Sequence, residues 1–308
     1  MRSKEHSVGG TNKRIQMWAS IGLLVTTVIW GFAFVVVKDS LDYIPASYML
    51  AFRFTIAAVV LGIIFARRLR HLNKHILARG AILGVFLFLS YLLQTIGCQY
   101  TTASKNAFLT TIYVILVPFL HWILNKKKPG TASIIAAFMA ILGIGLLSLN
   151  GDMTMNIGDV LTLLCGLGYA LHIIYIDRYT EDSDPVLLTV LQLFMAAICS
   201  WIVAPIMDGG FPVAAFQPNI IMGMLYLGLG STMVAFLLQN VCQKYAEPNT
   251  AALFLSLECV FGSIFSVIFL HEVFTPRMLA GGIIIFMAIV LAETKFQFLP
   301  FVAKRTRS

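Results

Sequence analysis

The sequence predicts an all-α integral membrane protein, with ten transmembrane helices arranged as two inverted five-helix repeats. Of the 308 residues, 59% are hydrophobic and 12% are charged, and the mean hydropathy is +0.86. Soluble domains contain about twice that share of charged residues. The apolar residues form ten runs of about 20 residues, the length of a helix that crosses a bilayer. The second half of the chain also repeats the pattern of the first.

Short links with Pro, Gly, Asn or charged residues separate the runs, as turn chemistry predicts. The predicted spans are 17–37, 46–66, 76–98, 105–124, 131–149, 157–177, 185–206, 220–243, 249–269 and 276–293. The first run is too long for the apolar region of a signal peptide and lacks a small-residue cleavage site. We therefore interpret it as an uncleaved first span.

The distribution of Lys and Arg predicts the orientation in the membrane. Eighteen of these residues lie on the side that holds both termini, against three on the other side: Lys38, Lys105 and Arg277. The positive-inside rule then predicts cytoplasmic N- and C-termini in a multi-pass protein of the plasma membrane. The net charge of +8 is explained by membrane anchoring, aided by anionic membrane lipid, so no nucleic acid is expected as a partner.

The chain resembles itself at an offset of 145 residues. The segment CQYTTASKNAFL at 98–109 finds a partner in CQKYAEPNTAALF at 242–254, and Gln94 falls on Gln239. The predicted divisions are a cytoplasmic tail 1–16, a first repeat 17–149, a linker 150–156, a second repeat 157–294 and a basic cytoplasmic tail 295–308. Five spans is an odd number, so the repeats must enter the membrane in opposite senses. Such repeats are typical of secondary transporters; duplication without alternating access is the alternative.

Several stretches together resemble a known family. They are IWGFAFVVVK, YMLAFRF, GCQYTTASKNAFLTTIYVILVPF, IGDVLTLLCGLGYALHIIYIDR and the long segment from CQKYAEPNTAALF to FMAIVLAE. Their order and spacing, from Met17 to Glu293, resemble the EamA-type family of the drug/metabolite transporter superfamily. The resemblance implies two inverted five-helix units around a central cavity. It also implies transport of small metabolites, often export of amino acids and related compounds.

The chain departs from the family pattern at two places. Where members usually have Glu-Pro in span nine, this chain has Glu258-Cys259. Where members commonly have Gly-Glu at the end of that span, this chain has His271-Glu272, and the first half reads NKKKP at the corresponding place. The missing Pro bears on whether span nine is kinked.

Helical spacing and charge within the bilayer indicate twelve candidate substrate-binding or coupling residues. They are Trp30, Gly31, Phe34, Arg53, Gln94, Asn106, Thr110, Tyr113, Tyr169, His172, Gln239 and Glu258. Asn106, Thr110 and Tyr113 follow one another at i, i+4 and i+7, which places a polar stripe on one face of span four. The alternative for each polar or small residue is helix–helix packing and hydrogen bonding.

Ionisable residues within spans are the most informative candidates, because a charge at the bilayer centre costs about 2.5–3.5 kcal/mol on insertion scales. Burial favours the neutral form of a carboxyl group, so Glu258 could exchange a proton or receive the amine of a substrate. Arg53 stays charged and could bind a substrate carboxylate. The alternative is that Glu258 is permanently neutral, or pairs with Arg53, and only fixes the packing.

A polytopic membrane enzyme or a flippase for a lipid-linked substrate is the rival class. The sequence contains no HExxH, GxSxG, P-loop or CxxC motif, so we expect no enzyme activity, no cofactor and no metal site. Without a nucleotide-binding domain, gradients would have to supply the energy. The expected partners are a small-molecule substrate and membrane lipid; proton coupling, and a monomer against a homodimer, remain open.

Overall fold

The computed structural model describes residues 13–126, 128–149, 154–180, 182–243, 245 and 254–294. Within these residues the chain is helical, apart from links and one isolated antiparallel bridge between Leu149 and Met155. The predicted tails beyond 13 and 294, most of the predicted linker and most of the second polar segment, 242–254, lie outside the described residues.

Ten helices follow one another in the described part of the chain. They are α1 Lys13–Ser40, α2 Ala46–Ile64, α3 Lys74–Tyr100, α4 in two segments (Ala103–Thr110 and Tyr113–Asn125), α5 Thr131–Ser148, α6 Ile157–Thr180, α7 Pro185–Met207, α8 in three segments (Pro218–Leu225, Tyr226–Val234 and Ala235–Gln243), α9, described from residue 254, in two segments (254–256 and Glu258–Leu270), and α10 Pro276–Thr294. Eight are long and apolar enough to cross a membrane, and the last two belong to shorter apolar helices. Each predicted span overlaps one helix.

Local sequence explains where several helices begin. Asn73 accepts a 2.8 Å hydrogen bond from the Ile76 N–H and so caps α3, and Thr102 caps α4 by accepting from the Lys105 N–H. Asp184 caps α7, whose first residue, Pro185, has no N–H to satisfy. Side-chain oxygens at these positions pair with the free N–H groups of the first turn.

The helices pack in pairs that the exchange of the two halves leaves unchanged. The counterparts are α1 and α6, α2 and α7, α3 and α8, α4 and α9, and α5 and α10. Helix α1 contacts α9, and their counterparts α6 and α4 are also in contact. In the same way, the contact of α3 with α7 matches that of α8 with α2, and the contact of α3 with α6 matches that of α8 with α1. The pairs α2–α7, α4–α9 and α5–α10, each a helix with its own counterpart, are also in contact. In α5–α10 a Cβ on Gly281 would lie 2.8 Å from the Gly143 carbonyl oxygen, so small residues allow this close approach.

Helices α4 and α9 are interrupted at equivalent positions. In α4 the Ile112 N–H donates a hydrogen bond to the Leu109 carbonyl, three residues back, which forms a tight turn. In α9 the Leu257 N–H donates to the Phe254 carbonyl in the same way, 145 residues later. Both helices end on a left-handed residue, Lys126 (φ 61°) or His271 (φ 54°). The predicted span 105–124 coincides with the apolar helical stretch Ala103–Leu124, and the turn within it has no signal in the sequence pattern. Helix α9 has its turn although the Pro of the family pattern is absent.

Candidate functional site

A cavity of about 860 Å³ lies at the centre of the helix bundle. Its wall combines side chains from α1, α2, α3 and α4 with side chains from α6, α7, α8 and α9, so both halves of the chain contribute. This volume falls in the range of small-molecule binding sites.

Eleven of the twelve candidate residues line this cavity. They are Trp30, Phe34, Arg53, Gln94, Asn106, Thr110, Tyr113, Tyr169, His172, Gln239 and Glu258. The remaining residue, Gly31, lies where α1 meets α9, and a Cβ there would come within 2.5 Å of Phe261 Cβ. The structure therefore brings eleven candidates together around one space, and their part in substrate binding stays a prediction.

Arg53 is a buried cation in the cavity wall, with 2% of its surface exposed. Its Nε donates to Thr232 Oγ1 at 3.0 Å and its Nη2 to Ser231 Oγ at 3.2 Å. The guanidinium carbon lies 4.6 Å from the ring centre of Tyr91, a cation–π arrangement. Among the described residues no carboxylate lies within 4.0 Å of it. The charge thus has neutral partners only and can receive an anionic group.

Glu258 faces the same space from α9 and is also buried. Tyr113 donates a hydrogen bond from its hydroxyl to Oε1 of Glu258 at 3.2 Å. The alternative in which Glu258 pairs with Arg53 is not what the structure has. Both ionisable side chains are therefore in the wall, each held by neutral groups.

A polar network joins α3, α4 and α6 along the cavity. Gln94 donates from Nε2 to Thr110 and accepts at Oε1 from the Tyr169 hydroxyl, at 3.1 and 3.0 Å. Asn106 donates to the Gln94 carbonyl and to Thr162 Oγ1, while its own Oδ1 is buried without a hydrogen-bond partner. These residues hold helices together as the packing alternative expects, and Asn106 also keeps an acceptor free for a ligand.

His172 makes its contact with α7. One ring nitrogen, Nε2, lies 2.8 Å from Gln192 Oε1, and the residue is buried. This contact ties α6 to α7 and fixes the ring at the cavity wall. Gln239 lines the wall from α8.

Sequence reasoning missed three wall residues that shape the site. Tyr91 stacks under Arg53, Phe236 packs edge-on against Trp30, and Ser231 contacts Arg53. The first two lie three residues before the candidates Gln94 and Gln239, so extending each helical face by one turn could have found them. Ser231 depends on backbone geometry: it sits in the π-helical segment of α8, and its carbonyl accepts from Trp30 Nε1 at 2.9 Å. Such segments are frequent at functional sites.

The residues of the α3–α4 link do not line the cavity, and polar contacts cover that end of the bundle. Lys38 donates from Nζ to the carbonyls of Cys98 and Thr101 at 2.8 and 2.7 Å. Thr101 in turn donates from its hydroxyl to Asp159 at the start of α6. Glu272, just after α9, accepts from the Ala103 N–H at 2.7 Å. Polar contacts thus join α1, α3, α4, α6 and α9 across this end.

Toward the opposite end, the cavity reaches Thr180 and Ser183 at the α6–α7 link and Asn240 of α8. Asp182 in that link forms an ion pair with Arg79 of α3, and this hydrogen bond lowers the pKa of the Asp182 carboxyl. In the predicted orientation this end faces the cytoplasm.

A bundle of bilayer-length apolar helices around a buried polar cavity defines a multi-pass membrane transporter that takes small molecules. The chain belongs to the EamA-like transporter family, whose model matches residues 17–149 and 156–294, and this confirms the resemblance in the sequence.

Similar proteins agree with the family assignment. An uncharacterized transporter of Archaeoglobus fulgidus is 33% identical over 289 residues, which cover 93% of this chain and 89% of that protein. The uncharacterized transporter YoaV of Bacillus subtilis is 23% identical over 283 residues, 90% of this chain and 97% of its own. A solved crystal structure with 14% sequence identity matches with a TM-score of 0.65, over 95% of this chain and 100% of that chain, which supports the fold.

Proposed function

We propose that the protein is a secondary transporter that works by alternating access and exports amino acids or related small organic solutes. The observation that carries this proposal is the central cavity, which places a buried cation, Arg53, and a buried carboxyl group, Glu258, in one wall. A buried charge without an ion pair is costly and is seldom kept without a use. The described links between helices are too short to hold a nucleotide-binding domain. Solute or ion gradients are therefore the expected source of energy for transport.

We also infer that the halves are inverted repeats. The support comes from three separate features: the sequence match at 145 residues, the helix pairs preserved when the halves are exchanged, and the matching interruptions of α4 and α9. Five helices in each half require opposite orientations in the membrane. Two related packings of the halves would then expose the cavity alternately to the two sides.

Substrate recognition follows from the chemistry of the wall. The guanidinium of Arg53 suits a carboxylate, Glu258 suits an amine, and the free Oδ1 of Asn106 accepts one more hydrogen bond. Aromatic rings of Trp30 and Tyr91 line the same space and provide apolar area. A zwitterion with an apolar side chain offers a chemical partner to each of these groups.

Glu258 is the proposed proton-coupling group, because a carboxyl group that lies in the cavity can bind a proton in one access state and release it in the other. The protein is expected in the plasma membrane with both termini in the cytoplasm. In that orientation the cavity of this structure reaches toward the cytoplasm, as an exporter needs for loading. Basic residues of the cytoplasmic links are expected to contact anionic lipid.

The test is counterflow in proteoliposomes made with the purified full chain. Vesicles are loaded with one unlabelled amino acid, and the uptake of tracer is measured for amino acids, nucleosides, polyamines and cationic drugs. We expect exchange of at least one zwitterionic amino acid, and a smaller rate with Arg53→Met. Failure to move any small solute, together with turnover of a lipid-linked substrate, would favour the membrane-enzyme or flippase alternative.

A further inference from the structure

The carboxylate of Glu272 binds the start of α4. It accepts from the backbone N–H groups of Ala103 and Ser104, at 2.7 and 3.2 Å, and from the Ser104 hydroxyl. The first N–H groups of a helix have no partner within the helix, and a negative charge is favourable there. One side chain after α9 thus satisfies several donors of α4, the helix that carries Asn106 and Thr110 into the cavity wall.

This contact closes one end of a pair of counterpart helices. Helices α4 and α9 correspond to each other, and Glu272 joins the last residues of one to the first residues of the other. In the alternating access proposed above, solute enters from the α3–α4 link end only when these two helix ends separate. Separation breaks hydrogen bonds to a charged acceptor, which are stronger than neutral ones.

The sequence cannot provide the same contact at the opposite end. The 145-residue offset places Lys127 at the position of Glu272 and Pro248 at the position of Ala103. A lysine side chain has no acceptor oxygen, and proline has no backbone N–H to donate. The residues at the equivalent positions, Lys127 and Pro248, therefore cannot form the carboxylate-to-N–H contact that Glu272 and Ala103 form.

We propose that Glu272 is the latch of a one-sided gate. It holds the cavity closed at the α3–α4 link end, so that the resting protein favours the state in which the cavity is reached from the α6–α7 link end. This inference rests on the alternating access proposed above. It adds that the two access states are unequal in energy, and it names the side chain responsible.

The test measures access to the cavity without any substrate. Val37 lines the cavity on α1, next to Lys38 at the closed end, and Val37→Cys is the reporter for that end. Ile176→Cys on α6 reports on the opposite end. A membrane-impermeant maleimide is added to sealed vesicles from one side at a time, and labelling is corrected for the parent protein with its native cysteines.

Glu272→Gln is expected to raise the labelling rate of Val37→Cys from the closed side by about tenfold, because loss of one charge-assisted contact changes an equilibrium by about that factor. Labelling of Ile176→Cys from the opposite side should fall. Ser104→Ala removes one donor from the α4 side of the same contact and should produce a smaller change in the same directions.

Asp208→Asn is the matched control. Asp208 lies at the same end of the bundle and accepts from the N–H and hydroxyl of Ser47, at the start of α2, so it makes the same kind of contact on another helix pair. The latch predicts no change in labelling for this variant. Equal labelling in wild type and Glu272→Gln, or equal increases in Glu272→Gln and Asp208→Asn, would overturn it. Because no solute moves in this assay, its outcome is separate from that of the transport test.

Discussion

The hydroxyl of Tyr113 donates a hydrogen bond of 3.2 Å to Oε1 of Glu258, and these two residues are 145 positions apart in the chain. Each is the first residue after the interruption of its helix, Tyr113 in α4 and Glu258 in α9. Counterpart positions thus meet at the cavity, where the two halves differ in chemistry. The first half has a phenol where the second half has a carboxyl group, and this carboxyl group is the proposed proton-coupling group.

Replacement of Glu258 by Gln is expected to remove the response of transport to a pH gradient, because the amide cannot take up or release a proton. For one proton exchanged with a net-neutral solute, a gradient of one pH unit is equivalent to about 1.4 kcal/mol, or about tenfold accumulation. Wild-type protein in proteoliposomes should approach this value, and Glu258→Gln should show no accumulation.

Tyr113→Phe is the matched control for that experiment, since it removes the hydrogen-bond donor and retains the carboxyl group. It should keep the gradient response, at a changed rate. Equal accumulation in wild type and Glu258→Gln would exclude Glu258 as the coupling group.

Replacement of Arg53 by Met should weaken binding of carboxylate-bearing substrates by about 10- to 100-fold, the loss expected for a charge-assisted hydrogen bond. Because Met removes a buried charge that has neutral partners only, thermal stability in detergent should stay the same or rise. Binding is measured by competition in the counterflow assay and stability by thermal unfolding. Loss of stability together with binding would indicate a structural role for Arg53.

The sequence was sufficient for the helices and for eleven residues of the cavity wall, for different reasons. Bilayer thickness sets the length of a span, so apolar runs predicted where helices lie. Polar side chains in such runs are costly unless they face other polar groups, so Asn106 and Glu258 were informative candidates. The interruptions at Ile112 and Leu257 and the π-helical segment around Ser231 depend on backbone hydrogen bonding, which leaves no residue pattern.

Replacement of Gly31 by Ala should destabilise the protein by about 1–3 kcal/mol, as overpacking typically does. A Cβ at this position would lie 2.5 Å from Phe261 Cβ and 2.8 Å from the Gly262 nitrogen, so α1 and α9 would have to move apart. The control is Gly145→Ala in α5, where the nearest atom is 3.5 Å away, an ordinary contact. Thermal unfolding should separate the two variants, and equal effects would contradict a close contact at Gly31.

Replacement of His271 by Gly should stabilise the protein by about 1 kcal/mol. His271 has φ 54°, a conformation that glycine adopts readily and that costs other residues about 1–2 kcal/mol. Its counterpart Lys126, with φ 61°, should respond in the same way to Lys126→Gly, at the opposite end of the bundle.

The substitution His271→Ala separates backbone strain from loss of the imidazole, because alanine retains the Cβ that disfavours a positive φ. It should give no stabilisation. If Ala and Gly raised the unfolding temperature equally, the side chain rather than the backbone would be the source of the effect. If only Gly does so at both 126 and 271, the two helix ends share one backbone strain, and that result would support the structural equivalence of α4 and α9.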